Sequence, residues 1–100
     1  MGPASGTPAS SHRAETTVII SNRLGMHARP AMSFVDTASQ FSAEITVYKK
    51  DQAVDAKSIM QLMMLAATKG TELRIVADGN DAEEALTALE DLVKRGFDED

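Results

Sequence analysis

Ala43-Glu44-Ile45-Thr46-Val47-Tyr48-Lys49 alternates without a break, with Ala43, Ile45 and Val47 on one side and Glu44, Thr46 and Tyr48 on the other. Successive strand residues point to opposite faces, so a period of two marks a strand with one face buried and one in water. Strands wetted on one face belong mostly to antiparallel sheets. Residues 71–78 (TELRIVAD) follow the same rule, with Leu73, Ile75 and Ala77 inward. Residues 16–21 (TTVIIS) are short and β-branched, which suits a first strand with Val18 and Ile20 inward. A polar turn at Lys50-Asp51 leads to a fourth, shorter strand over 52–56, anchored by Val54.

Helical spacing fills the gaps between these strands. Over residues 28–40, Ala31, Phe34, Val35 and Ala38 recur at three- and four-residue steps and Phe41 continues the stripe, leaving Met32 off it. Ser58 opens a second helix over 59–66, where Ser58-x-x-Gln61 has the form of a capping box. Its run Ile59-Met60-Gln61-Leu62-Met63-Met64-Leu65 is apolar nearly all round. Leu62 and either Met64 or Leu65 belong to the core. Met60 and Met63, one turn apart, suit an exposed patch for a partner, because a thioether adapts its shape. Lys69-Gly70 ends this helix. Asn80 or Asp81 caps a third, with Ala82, Ala85, Leu86, Leu89, Leu92 and Val93 buried, Lys94 and Arg95 at its C-terminus and Gly96 as its stop. The order β-α-β-β-α-β-α predicts an α/β two-layer sandwich, sheet on one side and helices on the other.

Composition narrows the function. One hundred residues make one domain. Residues 1–15 are rich in Gly, Pro, Ala, Ser and Thr and read as a disordered leader, with the folded domain at 16–100. His12 lies in that leader, and a disordered tail cannot pre-organise a site. The net charge of −5 argues against nucleic acid. No cysteine is present, so thiolate metal sites and thiol chemistry are excluded. With two histidines in all, no metal site and no cofactor are expected. No apolar run approaches the ~20 residues that span a bilayer, and no secretory signal opens the chain, so the expected compartment is the cytoplasm.

The chemistry gathers at Gly25-Met26-His27-Ala28-Arg29-Pro30-Ala31-Met32. His27 falls at the mouth of the first helix. Pro30 falls in the first turn, where a missing N–H costs nothing. The N–H groups of Ala28 and Arg29, the positive end of the helix dipole and the Arg29 guanidinium converge on a spot suited to an anion. Histidine is a poor cap, and a broken local rule in an otherwise regular helix points to function. An imidazole titrates near neutral pH and can act as a nucleophile. The residues alone therefore predict a phosphate held on, or next to, His27. No Walker-type loop is present, and no Ser or Cys nucleophile has a supporting motif.

Residues 25–31 resemble the active-site signature of the HPr family, the histidine-containing phosphocarriers of the bacterial phosphotransferase system that serves sugar transport. Ala56-Lys57-Ser58-Ile59-Met60 resembles the family's regulatory serine segment, in register with the first motif. The likeness runs from Glu15 to the C-terminus. Residues 24–32 and the ending Gly96-Phe97-Asp98-Glu99-Asp100 also look like its nitrogen-related branch, NPr. The resemblance implies a four-stranded antiparallel sheet of order 1-4-2-3 with three helices on one face. It implies a carrier that is not itself an enzyme and that acts as a monomer. His27 would accept a phosphoryl group on Nδ1 from enzyme I and pass it to an enzyme IIA. Arg29 and the amide of Ala28 would hold the phosphoryl oxygens. Met26, Met32, Ile59, Met60 and Met63 would form the partner surface, and Ser58 would match the serine modified by an HPr kinase/phosphorylase. The alternative is a regulatory module, of the nitrogen branch or switched by Ser58 phosphorylation, that acts by protein–protein binding.

Overall fold

A computed structural model describes residues 12–99. Four strands, β1 (Arg13–Ile19), β2 (Glu44–Lys49), β3 (Gln52–Asp55) and β4 (Glu72–Asp78), form one sheet of order β1-β4-β2-β3. All three pairings are antiparallel. Helices α1 (Ala28–Ala38), α2 (Ile59–Met64) and α3 (Ala82–Lys94) alternate with the strands, and a 3₁₀ turn, Gly96–Asp98, follows α3. This is the sandwich that the alternation at 43–49 predicts.

The alternation decides which sheet face is covered. Val18, Ile45, Val47, Val54, Leu73, Ile75 and Ala77 are buried. They meet the apolar stripes of α1 (Ala31, Phe34, Ala38) and α3 (Ala82, Ala85, Leu86, Leu89, Leu92, Val93), together with Leu62 and Leu65, in a single cluster. Each fully buried Leu, Ile or Phe contributes about 1.5–3 kcal/mol relative to exposure. On the other face the register lines up Thr17, Arg74 and Tyr48, and the Arg74 guanidinium lies 4.2 Å from the centre of the Tyr48 ring.

Several boundaries differ from the sequence reading, each for a local reason. The first strand starts at Arg13, inside the stretch assigned to the leader, because Arg13 and Ala14 pair with Asp78 and Ala77 of β4 and Ala14 packs on the core. The remainder of that stretch, 1–11, lies outside the described residues. Helix α1 stops at Ala38 rather than Gln40, where Gln40 and Phe41 donate to carbonyls three residues back and the helix tightens into a turn. Helix α2 stops at Met64 rather than Ala66, and Gly70 is not its stop. Ala66 takes the left-handed conformation (φ 51°) and ends the helix itself. Gly70 instead donates its N–H to the Ile20 carbonyl at 2.8 Å, tying the loop before β4 to the end of β1. Of the two candidates for the core, Leu65 is buried and Met64 is exposed.

Candidate functional site

The site is built where β1 runs into α1. Gly25 makes the turn. Its φ of +71° lies in the left-handed region, and a Cβ there would stand 2.4 Å from the Ala67 carbonyl oxygen. Glycine is needed both for the angle and for the close approach. The next amide, Met26 N–H, donates to that same Ala67 carbonyl at 2.8 Å. The 66–71 loop thus braces the residue before the histidine.

His27 is the N-cap of α1, with extended backbone (φ −85°, ψ −170°) and no side-chain cap bond. Its carbonyl accepts the first helical bond, from Ala31 N–H at 3.0 Å, so its backbone does the work of a cap while its ring does not. The N–H groups of Ala28 and Arg29 belong to the first turn and have no helical carbonyl to meet. Pro30 is buried, and Ala28 and Arg29 are exposed. The His27 side chain is 37% exposed, accessible enough to meet a partner and covered enough to be oriented.

Its orientation comes from the far end of the chain. His27 Nε2 lies 3.1 Å from Glu99 Oε1. The same carboxylate oxygen accepts from Asn22 Nδ2 at 3.1 Å, and Asn22 Nδ2 also donates to the Gly25 carbonyl at 2.8 Å. Asn22 is 1% exposed and links the turn before His27 to the tail. The hydrogen bond from His27, then that from Asn22, holds the Glu99 carboxyl below the usual carboxylate range against an opposing desolvation, with the Arg29 charge a smaller contribution. A depression of about 290 Å³ opens beside this network, lined by Arg23, Leu24, Arg29, Asp98 and Glu99. Arg29 stands in the wall of that depression, on the side of Glu99.

The tail reaches the site through three consecutive residues with positive φ: Gly96 (64°), Phe97 (57°) and Asp98 (59°). That conformation costs a non-glycine residue about 1–2 kcal/mol, so Phe97 and Asp98 require compensation. Phe97 supplies it by burial, at 6% exposure. Asp98 accepts from Arg95 Nε at 3.1 Å, an exposed pair that offsets only part of the cost.

Sequence reasoning missed Asn22, Glu99 and Arg23. The signal for the tail was present: a large apolar residue, Phe97, directly after a helix-stopping glycine must bury somewhere, and it carries its neighbours with it. Nothing local announces that Glu99 lands on His27, 72 positions away.

The expected partner surface needs one correction. Met26 is 5% exposed and belongs to the core cluster, because its backbone is pinned to Ala67 and its side chain turns inward. It is not a flank of the surface. Met32 (56%), Met60 (74%) and Met63 (44%) are exposed, and Met64 and Leu24, which the sequence reading did not assign to this surface, are exposed as well. Ile59 is partly buried and packs against the core.

Ser58 is the N-cap of α2, and its Oγ accepts from Gln61 N–H at 3.3 Å. The capping box is half formed. Gln61 Oε1 accepts from Asp55 N–H at 2.9 Å rather than from Ser58, because Ser58 N–H is already bonded to the Asp55 carbonyl. Among the described residues no group of three or more His, Cys, Asp and Glu side chains could hold a metal ion, and no helix is long and apolar enough to cross a membrane.

Comparison with known proteins places this arrangement. The family described as "PTS HPr component phosphorylation site" matches residues 14–95. A phosphocarrier protein HPr of Neisseria meningitidis serogroup A is 51% identical over 83 residues, covering 83% of this chain and 93% of the relative. One of Xylella fastidiosa is 43% identical over 86 residues, covering 86% and 97%. The crystal structure of HPr-C-His from Thermoanaerobacter tengcongensis superposes with a TM-score of 0.84 at 47% identity, covering 87% of this chain and 98% of that one. The nitrogen-branch likeness rests on the two sequence stretches alone. A β-α-β-β-α-β-α chain with an uncapping histidine at the start of its first helix, matched by these relatives over most of its length, belongs to the HPr family of the phosphotransferase system.

Proposed function

We propose that this chain is a cytoplasmic phosphoryl carrier of the phosphoenolpyruvate-dependent phosphotransferase system, that His27 takes the phosphoryl group on Nδ1 from enzyme I, and that it passes the group to an enzyme IIA. One observation carries the reading. His27 sits at a helix start whose first-turn N–H groups its own side chain leaves uncapped. The Nδ1 lone pair attacks the phosphorus of the donor. The new N–P bond forms as the donor's bond to phosphorus breaks, and that bond's electron pair stays on the donor. The incoming group adds about two negative charges. Arg29 and the first-turn amides, Ala28 among them, offset these charges. The site is a shallow surface feature, which suits a group that must be handed on. Partners supply the catalysis, so the chain is not an enzyme. In this reading it acts as a monomer.

Donor and acceptor proteins dock on the exposed Met32, Met60 and Met63, and in this reading on the exposed Met64 as well. Ile59 is partly buried and packs against the core. His27→Ala is expected to abolish acid-labile labelling from phosphoenolpyruvate and enzyme I. Labelling at the wild-type level would refute the assignment. Arg29→Lys is expected to slow transfer, because a point charge does not reproduce the guanidinium fork.

A second reading concerns regulation. The half-formed capping box leaves Ser58 Oγ with one cap bond of 3.3 Å at a half-buried position next to exposed Met60. A phosphate there, added by an HPr kinase/phosphorylase, would favour the helix dipole yet put charge on the apolar rim. Ser58→Asp is expected to keep the fold and weaken enzyme I binding. Equal affinity for both proteins would remove the regulatory role.

A further inference from the structure

We infer that Glu99 is a positioning residue for His27, holding the ring in the tautomer that leaves the reactive lone pair on Nδ1 and steadying the cationic ring that phosphorylation creates. The inference rests on the phosphocarrier reading of His27. It starts from a chain of bonds with one consistent direction. Asn22 Nδ2 faces two oxygens, the Gly25 carbonyl and Glu99 Oε1. Neither can donate, so the amide orientation is settled by its partners. Glu99 Oε1 therefore accepts from Asn22, and it meets Nε2 of His27 as an acceptor too. A carboxylate held in its ionised form has no proton to give. Nε2 must carry the hydrogen. In a neutral imidazole the other nitrogen then bears the lone pair, so Nδ1 is the nucleophile.

The same bond serves the next state. When the Nδ1 lone pair forms the N–P bond, the ring becomes an imidazolium with its hydrogen still on Nε2. Glu99 faces that hydrogen and balances the new positive charge. On onward transfer the N–P bond breaks, its electron pair returns to Nδ1, and the neutral Nε2–H ring is restored. No proton has to leave in either direction. A ring bearing positive charge is also the better leaving group, so the carboxylate keeps the phosphoryl group transferable.

The geometry is held, not incidental. Glu99 N–H donates to the Gly96 carbonyl at 2.9 Å and Asp98 N–H to the Arg95 carbonyl at 3.1 Å. Phe97 anchors the turn in the core.

The test uses the full chain and two variants, Glu99→Ala and Glu99→Gln. Ring ¹⁵N–¹H correlation spectra at neutral pH report the His27 tautomer without any phosphate. The wild type is expected in the Nε2–H form. Glu99→Ala is expected to give a mixture with Nδ1–H, and kcat for accepting phosphate from phosphorylated enzyme I is expected to fall about tenfold at unchanged KM, the scale on which losing an orienting partner impairs a histidine. Glu99→Gln keeps an acceptor but not a charge, so it should retain the wild-type tautomer with kcat between the other two. A wild-type tautomer or a wild-type kcat in Glu99→Ala would overturn the proposal. Amide spectra of the variants identify any global unfolding, and a second break in the network, Asn22→Asp, which sets a carboxylate against Glu99, is expected to reproduce the tautomer mixture. Should His27→Ala still be labelled, the carrier reading fails, while the tautomer spectra report on Glu99 independently.

Discussion

Two helix starts in this molecule share a backbone plan and differ in what they leave for others. His27 and Ser58 both stand at an N-cap with extended backbone, and each accepts the first helical bond on its carbonyl. Ser58 also turns its hydroxyl onto the Gln61 amide and closes its own first turn. His27 makes no such bond. Its ring is instead held from outside by Glu99, and its helix keeps first-turn donors that this side chain leaves uncapped. The supports differ in the same sense: Asp55, Ser58 and Gln61 lie within six residues of each other, whereas the His27 ring depends on a residue 72 positions away.

Four changes would break or sharpen this contrast. The largest effect is expected from Gly25→Ala, where a Cβ would meet the Ala67 carbonyl at 2.4 Å in a left-handed turn. A loss of about 3 kcal/mol in denaturant unfolding is expected, within the range of strain at a special backbone angle combined with a clash. Labelling of His27 should fall with it, because the bond from Met26 to Ala67 shares that geometry. Ser58→Ala should cost about 1 kcal/mol, the usual value of a serine cap, and leave His27 labelling intact. His27→Ser should abolish labelling while supplying the missing cap, a gain of about 0.5 kcal/mol set against the loss of the bond to Glu99. A rise in the unfolding midpoint together with zero label would show that the site gives up stability for chemistry.

The smallest effect concerns pH and the third helix start. Asp81, the N-cap of α3, points its carboxylate away from its own helix and accepts from the Ser42 and Ala43 amides at 2.9 Å each. The bond from the Ser42 amide is the largest influence, and the group lies below its ordinary range, as does Glu99. A carboxylate whose folded-state value is depressed contributes stability that is complete above its unfolded value and is lost as pH falls through the folded one. Wild-type stability should therefore decline on acidification below the ordinary carboxylate range. Asp81→Asn should lower stability near neutral pH and flatten that acid slope, as measured by urea midpoints across pH. An unchanged slope would show that Asp81 is not coupled to folding.

The sheet, its order of elements and most of its inward residues were readable because the strand period of two and the helical stripes are local patterns. The buried residues of α3 were all named from spacing. The N-cap position of His27 and the exposure of Met32, Met60 and Met63 were readable as well, since each follows from its place on a helix. The misjudged residues have the opposite character. The family resemblance alone sets Met26 on the partner surface, yet its amide is captured by Ala67 and its side chain enters the core. Gly70 reads as a helix stop, yet Ala66 accepts a left-handed angle four residues earlier. Strand β1 extends back to Arg13 because β4 offers partners that composition alone does not reveal.

Local patterning was enough to specify the elements, the sandwich and the place of His27 at a helix start, since periodicity and capping depend on residues a few positions apart. Which nitrogen of His27 is engaged, which carboxylate engages it, and that Met26 faces inward were decided by tertiary contact. Those outcomes depend on bonds that close over dozens of residues, among them Asn22 to Glu99 and His27 to Glu99, and they exist only after the core has drawn Phe97 in and carried the tail across the site.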